Sequence, residues 1–223
     1  MERSRIAVVI PAFNEAATIA GVVRMVGAYG VPIVVDDAST DGTASEARHA
    51  GAEVVSHDRN RGYDGALNSG FARAAELECE YVVTCDADGQ HNVGQIGEFV
   101  GLLDQGYDLV LGVRDRQQRV AERIFAFVAR RLWGISDPLC GMKGYRVALY
   151  RQNRRFDGFR SIGTELAVRS IARGARVIEQ PTVIRDRIDS PRFARQLSAN
   201  WKILRALIIL VSLGAVGRLG ATP

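Results

Sequence analysis

Two aspartates separated by one residue, Asp86 and Asp88, directly follow the apolar run Tyr81 to Cys85 (YVVTC). A turn at a strand end lets both aim oxygens at one hard divalent cation. Such a cation can bridge to a diphosphate and neutralise charge building on a leaving group. Polar clusters also follow two earlier apolar runs: Pro11-Ala12-Phe13-Asn14-Glu15 after Ile6 to Ile10, and Asp36 to Thr43 (DDASTDGT) at the end of the run from Pro32. No GxGxxG follows the first run and no GxxxxGK[ST] occurs anywhere, so the dinucleotide and P-loop readings lose their main support. A further cluster is cationic. Between Arg114 and Arg131 stand six arginines, at 114, 116, 119, 123, 130 and 131, against only Asp115 and Glu122.

These clusters need a frame that gathers them. The runs Ile6 to Ile10, Pro32 to Asp36, Ala52 to Ser56, Tyr81 to Cys85 and Leu109 to Gly112 are short and rich in β-branched residues, as buried parallel strands are. Ala17 to Tyr29, Thr43 to Ala50, Gly65 to Leu77 and Gly94 to Leu103 suit helices between them. This alternation predicts an α/β fold with a mostly parallel central sheet and helices on both faces. Ligands of such sheets sit beyond the carboxyl ends of the strands, where the polar clusters fall.

The segments VVIPAFNEAATI, VVDDASTDGT, Asn60 to Phe71 (NRGYDGALNSGF) and VVTCDADGQH together resemble the family 2 glycosyltransferases of the GT-A fold. Within that family they are most similar to the dolichol- or polyprenol-phosphate mannosyltransferase branch. Asp137 to Arg146 (DPLCGMKGYR) is similar to the branch's D-x-x-x-G-F-R-x-Y-R, and Gly174 to Arg187 resembles its G-x-R-I-x-E-x-P-I segment with a following arginine. The likeness runs over residues 5 to 195 and implies a catalytic domain over 1–195; residues 196–223 read separately, from their own periodicity, as a C-terminal basic amphipathic helix. It implies a metal-dependent inverting transfer of a sugar, mannose from GDP-mannose being favoured and a UDP-sugar possible, to a polyprenol phosphate.

Carried over by position, the resemblance places Pro11, Ala12, Asn14, Glu15, Asp86, Ala87 and Asp88 at the nucleotide sugar and has Asp37 accept from its base or ribose. Asn14 and Glu15 could instead cap the helix that follows. Asp36 and Asp37 point to opposite faces of a strand end, so one of them meets the ligand, and Asp37 is the expected one. Asp41 and Gly42 are expected to make the turn into the next helix. Asp86, Asp88 and Gln90 match the branch's metal ligands, an oxygen-only set suited to Mg²⁺ or Mn²⁺. His91 is then a neighbour, and His49 and His57 read as surface histidines. In the branch, an arginine after the fifth strand and another on the next helix bind the acceptor phosphate. Arg114 fits the first, and the second is Arg119 or Arg123; a solvated basic face is the plainer reading. Asp88, Arg114 and Arg187 are the expected catalytic set, Arg187 standing where the branch has a loop arginine that closes on the diphosphate.

Acceptor chemistry separates two readings. A phosphate monoester is already anionic and attacks the anomeric carbon unaided, whereas a sugar hydroxyl needs a general base. The candidate base is Glu165, in IGTELAVRS, which could equally pair on its own helix; with it the chain would glycosylate a soluble or glycan acceptor. No QxxRW follows, which weighs against a processive polysaccharide synthase.

The end of the sequence bears on location. Leu197, Trp201, Leu204, Ile208 and Val211 recur at helical steps beside Arg195, Ser198, Lys202 and Arg205, the pattern of a basic amphipathic helix. Its uncharged run, Ala206 to Gly217, gives about 18 Å of helix against a hydrocarbon core of about 30 Å, too short to span a bilayer. Such a helix lies on a membrane surface or packs on the protein's own sheet. The net charge of +4 rests on this tail: no acidic residue follows Asp189, and five basic ones do. The body is therefore near neutrality, which argues against a nucleic-acid partner. Of the 29 basic residues only Lys143 and Lys202 are lysines, and arginine's planar fork suits phosphate and carboxylate. Three unpaired-looking cysteines and a short, Pro-broken N-terminal apolar run predict a cytoplasmic protein, and the basic amphipathic tail predicts that it is peripheral on the cytoplasmic membrane face.

Overall fold

A computed structural model describes residues 3–89, 93–115, 119–183 and 195–215. Five parallel strands come from the expected runs: β1 (Ile6–Ala12), β2 (Val31–Asp36), β3 (Glu53–Ser56), β4 (Tyr81–Thr84) and β5 (Leu109–Arg114). Two further strands, β6 (Lys143–Arg146) and β7 (Val177–Thr182), complete a sheet of order β3-β2-β1-β4-β6-β5-β7. β6 runs antiparallel between β4 and β5, while the other pairings are parallel.

Among the described residues eight helices cover the two faces: α1 (Ile19–Val26), α2 (Thr43–His49), α3 (Gly62–Glu76), α4 (Gln95–Asp104), α5 (Val120–Trp133), α6 (Val147–Asn153), α7 (Glu165–Ala172) and α8 (Arg195–Ala215). Alternation along β1 divides the core. Val8 and Ile10 pack with Val22, Val23, Ile96 and Phe99 on one side, and Ala7 and Val9 with Leu67, Phe71, Phe125 and Leu166 on the other. Gly70 on α3 lies directly over Val9, and a Cβ there would run into the valine's methyl groups, so the helix rides close on the sheet. Phe71 holds the second side together, with ring centroids 5.3 Å from Tyr145 and 4.6 Å from Phe156. Contacts of that geometry contribute about 0.5–1.5 kcal/mol each beyond burial.

The helix starts differ from the expected ones for local reasons. The backbone turns at Asn14, with φ +56°, and the Glu15 carbonyl accepts from Thr18 and Ile19 N–H, so α1 begins two residues late. At the other end of the chain, α8 has two apolar stripes. Ile203, Ala206, Leu207, Leu210 and Leu213 are buried in the Phe125 and Leu166 core, so the helix docks on its own domain. Of the stripe read from sequence, Trp201 and Ile208 face outward and Leu204 and Val211 are half-buried; the Leu197 side chain lies outside the described residues.

Candidate active site

The carboxyl ends of β1 and β2 are laced into one rim. Ala12 pairs with Asp36 in the parallel register, and Asp37 N–H donates to the Ala12 carbonyl. Asn14 N–H donates to Ser39 Oγ at 2.9 Å, and Asn14 Oδ1 accepts from Thr40 N–H at 2.9 Å. Glu15 N–H donates to Thr43 Oγ1, while Asp41 accepts from Thr43 N–H and from Ala16 N–H. The Thr43 hydroxyl, donating to Asp41, holds that carboxylate below its ordinary range. Asn14 therefore ties two loops together and does not cap α1, and Asp41 braces the rim as well as turning the chain into α2.

His57 stands differently from its sequence reading, and its partner is Asp37. Asp37 is 4% exposed, and its carboxylate accepts from His57 Nδ1 at 2.7 Å, Arg61 N–H at 2.7 Å and Gly62 N–H at 2.8 Å. His57 is buried and reaches Ser69 Oγ on α3 with its other nitrogen at 2.8 Å. His57 is thus no surface histidine, because the β3–α3 connection folds its ring under the rim. Nor is the Asp37 carboxylate loose in the rim loop. It clamps the start of α3 to the end of β2.

Asp86 and Asp88 emerge half-buried from β4, with Ala87 buried between them and Gly89 turning the chain at φ +72°. Behind Asp86 lies Gly141, where a Cβ would stand 2.5 Å from Oδ2 and 2.9 Å from Oδ1. Thr84 fastens that wall: its hydroxyl donates to the Gly141 carbonyl and accepts from Lys143 N–H. Two carboxylates from one turn, in a cradle open only to glycine, are an oxygen donor set that fits a hard divalent ion. Gln90, the third expected ligand, and Arg187 lie outside the described residues.

The arginine cluster is largely self-neutralised. Arg114 Nε and Nη2 lie 2.7 and 2.8 Å from the two Asp137 oxygens, its N–H donates to the same carboxylate, and Glu122 stands 3.4 Å from Nη2. Asp137 and Glu122 are buried. Burial alone would lower the Arg114 pKa, but the hydrogen bonds and charge of Asp137 more than offset it, so the guanidinium is held charged above its ordinary value. Arg119 joins through Glu122 at 2.8 Å and keeps a 40% exposed side chain. Arg123 faces solvent outside this group. Arg114, expected to present its fork to a phosphate, has committed that fork to Asp137.

Glu165 is also spent internally. It is fully buried, accepts from Gly158 N–H at 2.6 Å and pairs with Arg169 at 2.8 Å, so it braces the loop before α7 and is not poised as a base. The same loop is held at Gly163 by two groups that sequence reading passed over, Lys143 of β6 and Asp64 of α3. Lys143 Nζ donates to the Gly163 carbonyl at 2.8 Å, and Asp64 accepts from Gly163 N–H at 2.5 Å. Burial lowers Lys143 to about 8, and burial with the nearby Asp157 charge raises Asp64 to about 6. Asp64 lies within the NRGYDGALNSGF run, and Lys143 is one of two lysines in the chain. Those were the signals available.

The mostly parallel α/β sheet, with an acidic turn and a laced rim at the carboxyl ends of its strands, has the GT-A arrangement. Residues 7–154 match the family model "Glycosyl transferase family 2", and the chain belongs to that family. It is 32% identical over 201 residues to glycosyltransferase AglJ of Haloferax volcanii, covering 82% of this chain and 64% of the relative. It is 34% identical over 167 residues to an undecaprenyl-phosphate 4-deoxy-4-formamido-L-arabinose transferase of Edwardsiella ictaluri, covering 66% of this chain and 50% of that one. The chain thus spans about half to two thirds of these relatives. Among solved structures, glucosyl-3-phosphoglycerate synthase of Mycobacterium tuberculosis superposes with a TM-score of 0.76 at 24% identity, over 92% of this chain and 79% of that one. The synthase has also been crystallised with Mn²⁺ and UDP, and with Mg²⁺ and UDP.

Proposed function

We propose that this chain is a metal-dependent inverting glycosyltransferase that moves a sugar from a nucleotide diphosphate sugar to the phosphate of a polyprenol. The observation that carries the acceptor choice is Glu165. With that carboxylate sealed by Gly158 and Arg169, the candidate base for a hydroxyl acceptor is occupied, which favours an acceptor that brings its own negative charge. The undecaprenyl-phosphate relatives support the same reading. Mannose from GDP-mannose is the donor favoured by the sequence resemblance, and the UDP complexes of the synthase support a UDP-sugar as the other choice.

In this reading the rim of Pro11, Ala12, Asn14 and Glu15 borders the nucleotide, and Asp37 shapes that border by holding Arg61 and Gly62. Asp86 and Asp88, with Gln90, would hold Mg²⁺ or Mn²⁺. When bound, that ion supplies charge neutralisation for the departing nucleoside diphosphate. An oxygen of the acceptor phosphate forms the new bond to the anomeric carbon as the bond to the donor's diphosphate breaks on the opposite face, and no proton need move. Arg119, exposed beside the neutralised Arg114 cluster, meets the acceptor phosphate, and Arg187 closes on the diphosphate. The work is done on the cytoplasmic membrane face, where such acceptors reside.

The deciding experiment is a screen of GDP- and UDP-sugars against polyprenol phosphates and sugar-hydroxyl acceptors, each with Mg²⁺, Mn²⁺ or a chelator. Metal-dependent product on the lipid phosphate is the expected result. Glycosylation of a hydroxyl acceptor alone overturns the acceptor assignment.

A further inference from the structure

Among the described residues, nine large apolar side chains are exposed, and six belong to two helices packed against each other. On α5, Val120, Ile124 and Phe127 fall at i, i+4 and i+7 on one outer face, with Leu132 near its end; on α8, Trp201 and Ile208 lie two turns apart with half-buried Leu204 between them. Phe127 and Trp201 are each 67% exposed. The opposite sides of both helices are satisfied, Phe125 and Ala129 of α5 sharing a core with Ile203, Ala206 and Leu210 of α8. The outward apolar groups are therefore surplus to the fold.

The charges around them have one sign. Arg123, Arg130 and Arg131 on α5 and Lys202 and Arg205 on α8 are exposed, while Glu122, the one acid of α5, is buried and α8 has none. We propose that the outer faces of α5 and α8 together form a docking surface for an anionic lipid membrane. A bilayer with acidic headgroups takes apolar side chains to the acyl boundary while arginine and lysine reach back to phosphate, and tryptophan favours that boundary. A second copy of the chain fits poorly, because a two-fold interface through this face would bring the same cations against one another. Neither helix crosses the bilayer: no helix among the described residues is long and apolar enough.

The surface extends beyond the C-terminal helix to one that sequence alone reads as a solvated basic face. It deepens the lipid-phosphate reading, on which its meaning for catalysis rests, since α5 begins immediately after Arg119 and would hold that end of the site at the headgroup plane.

The test is co-sedimentation of the full chain with phosphatidylglycerol-containing vesicles and with pure phosphatidylcholine vesicles, with neither donor nor acceptor present. Wild-type protein is expected on the anionic vesicles, and Phe127→Asp or Trp201→Asp to weaken binding more than about tenfold. Phe127→Leu should bind nearly as wild type. Both aspartate variants should melt like wild type, since these rings lie outside the core. Absence of wild-type binding, equal binding by Phe127→Asp, or a dimer in solution that Phe127→Asp disperses overturns the proposal. Vesicle binding that persists in a protein unable to glycosylate lipid phosphate counts against the acceptor assignment and leaves the docking surface standing.

Discussion

Arg114 and Asp137, 23 residues apart in sequence, meet fork to fork at 2.7 and 2.8 Å at the end of β5. The pair fastens the end of β5 to the segment that leads into β6, and Glu122 and Arg119 extend it outward. Removing Asp137 leaves the half-buried Arg114 fork with Glu122 alone, 3.4 Å away. Asp137→Ala should therefore lower stability by about 3–5 kcal/mol, read as a shift in the denaturation midpoint. Arg119→Ala should change stability by less than about 1 kcal/mol and instead raise the KM for the acceptor. If Arg119→Ala leaves acceptor kinetics unchanged, the phosphate contact lies elsewhere.

Gly141→Ala tests the acidic turn without touching a carboxylate. The added methyl would stand 2.5 Å from Asp86 Oδ2, and the carboxylate is what can yield. The variant should fold, bind divalent ions more weakly in titration and lose most activity, as should Asp88→Ala. Wild-type turnover in Gly141→Ala, or in wild-type protein with a strong chelator, would show that Asp86 holds no required ion.

Asp37→Ala removes the acceptor of three hydrogen bonds inside a buried clamp. Leaving His57, Arg61 N–H and Gly62 N–H without it should cost about 2–3 kcal/mol and weaken nucleotide binding through the displaced start of α3. Thermal melting and nucleotide titration on the same sample separate the effects. Weakened binding with an unchanged melting temperature points to direct contact with the nucleotide instead.

Glu165→Gln should keep kcat within about threefold on a lipid phosphate, since the carboxylate has no proton to take in that reaction. It should lower the melting temperature, because the amide cannot replace the charge facing Arg169. A loss of a hundredfold or more in kcat with unchanged stability favours the hydroxyl-acceptor mechanism.

The pH dependence of stability has two limbs of opposite sign. Asp64 titrates near 6 in the folded protein against 3.8 ordinarily, so the native state holds its proton more tightly. This stabilisation is present below about pH 4 and is lost as pH rises through about 6. Lys143 titrates near 8 against 10.5, so the unfolded state holds the proton more tightly, and its contribution improves as pH rises from about 8 to 10.5. Chemical denaturation across pH for Asp64→Asn and Lys143→Met should each flatten the corresponding limb. Curves parallel to wild type would show that these groups titrate alike in both states.

The sequence by itself determined the five parallel strands and what lies at their ends. β-branched runs such as Ile6 to Ile10 and Tyr81 to Thr84 must be buried on both sides, and the polar turns after them have no other place to go. Asp86 and Asp88 were legible for that reason, both being set by one strand and its own turn. Tertiary structure alone decided how distant charges were used. β6, with Lys143 at its head, has no apolar run to announce it, and its antiparallel place between β4 and β5 follows from pairing with both neighbours. Arg114 read as a free cation until Asp137 folded against it, His57 as a surface ring until Asp37 and Ser69 closed on it, and Glu165 as a possible base until Gly158 and Arg169 filled its oxygens. α8 carries two apolar stripes of comparable strength. The core already formed by Phe125 and Leu166 selected which one to bury, leaving Trp201 and Ile208 outside. In each case the spacing of residues along the chain sets what a side chain can do, and a partner many residues away sets what it does.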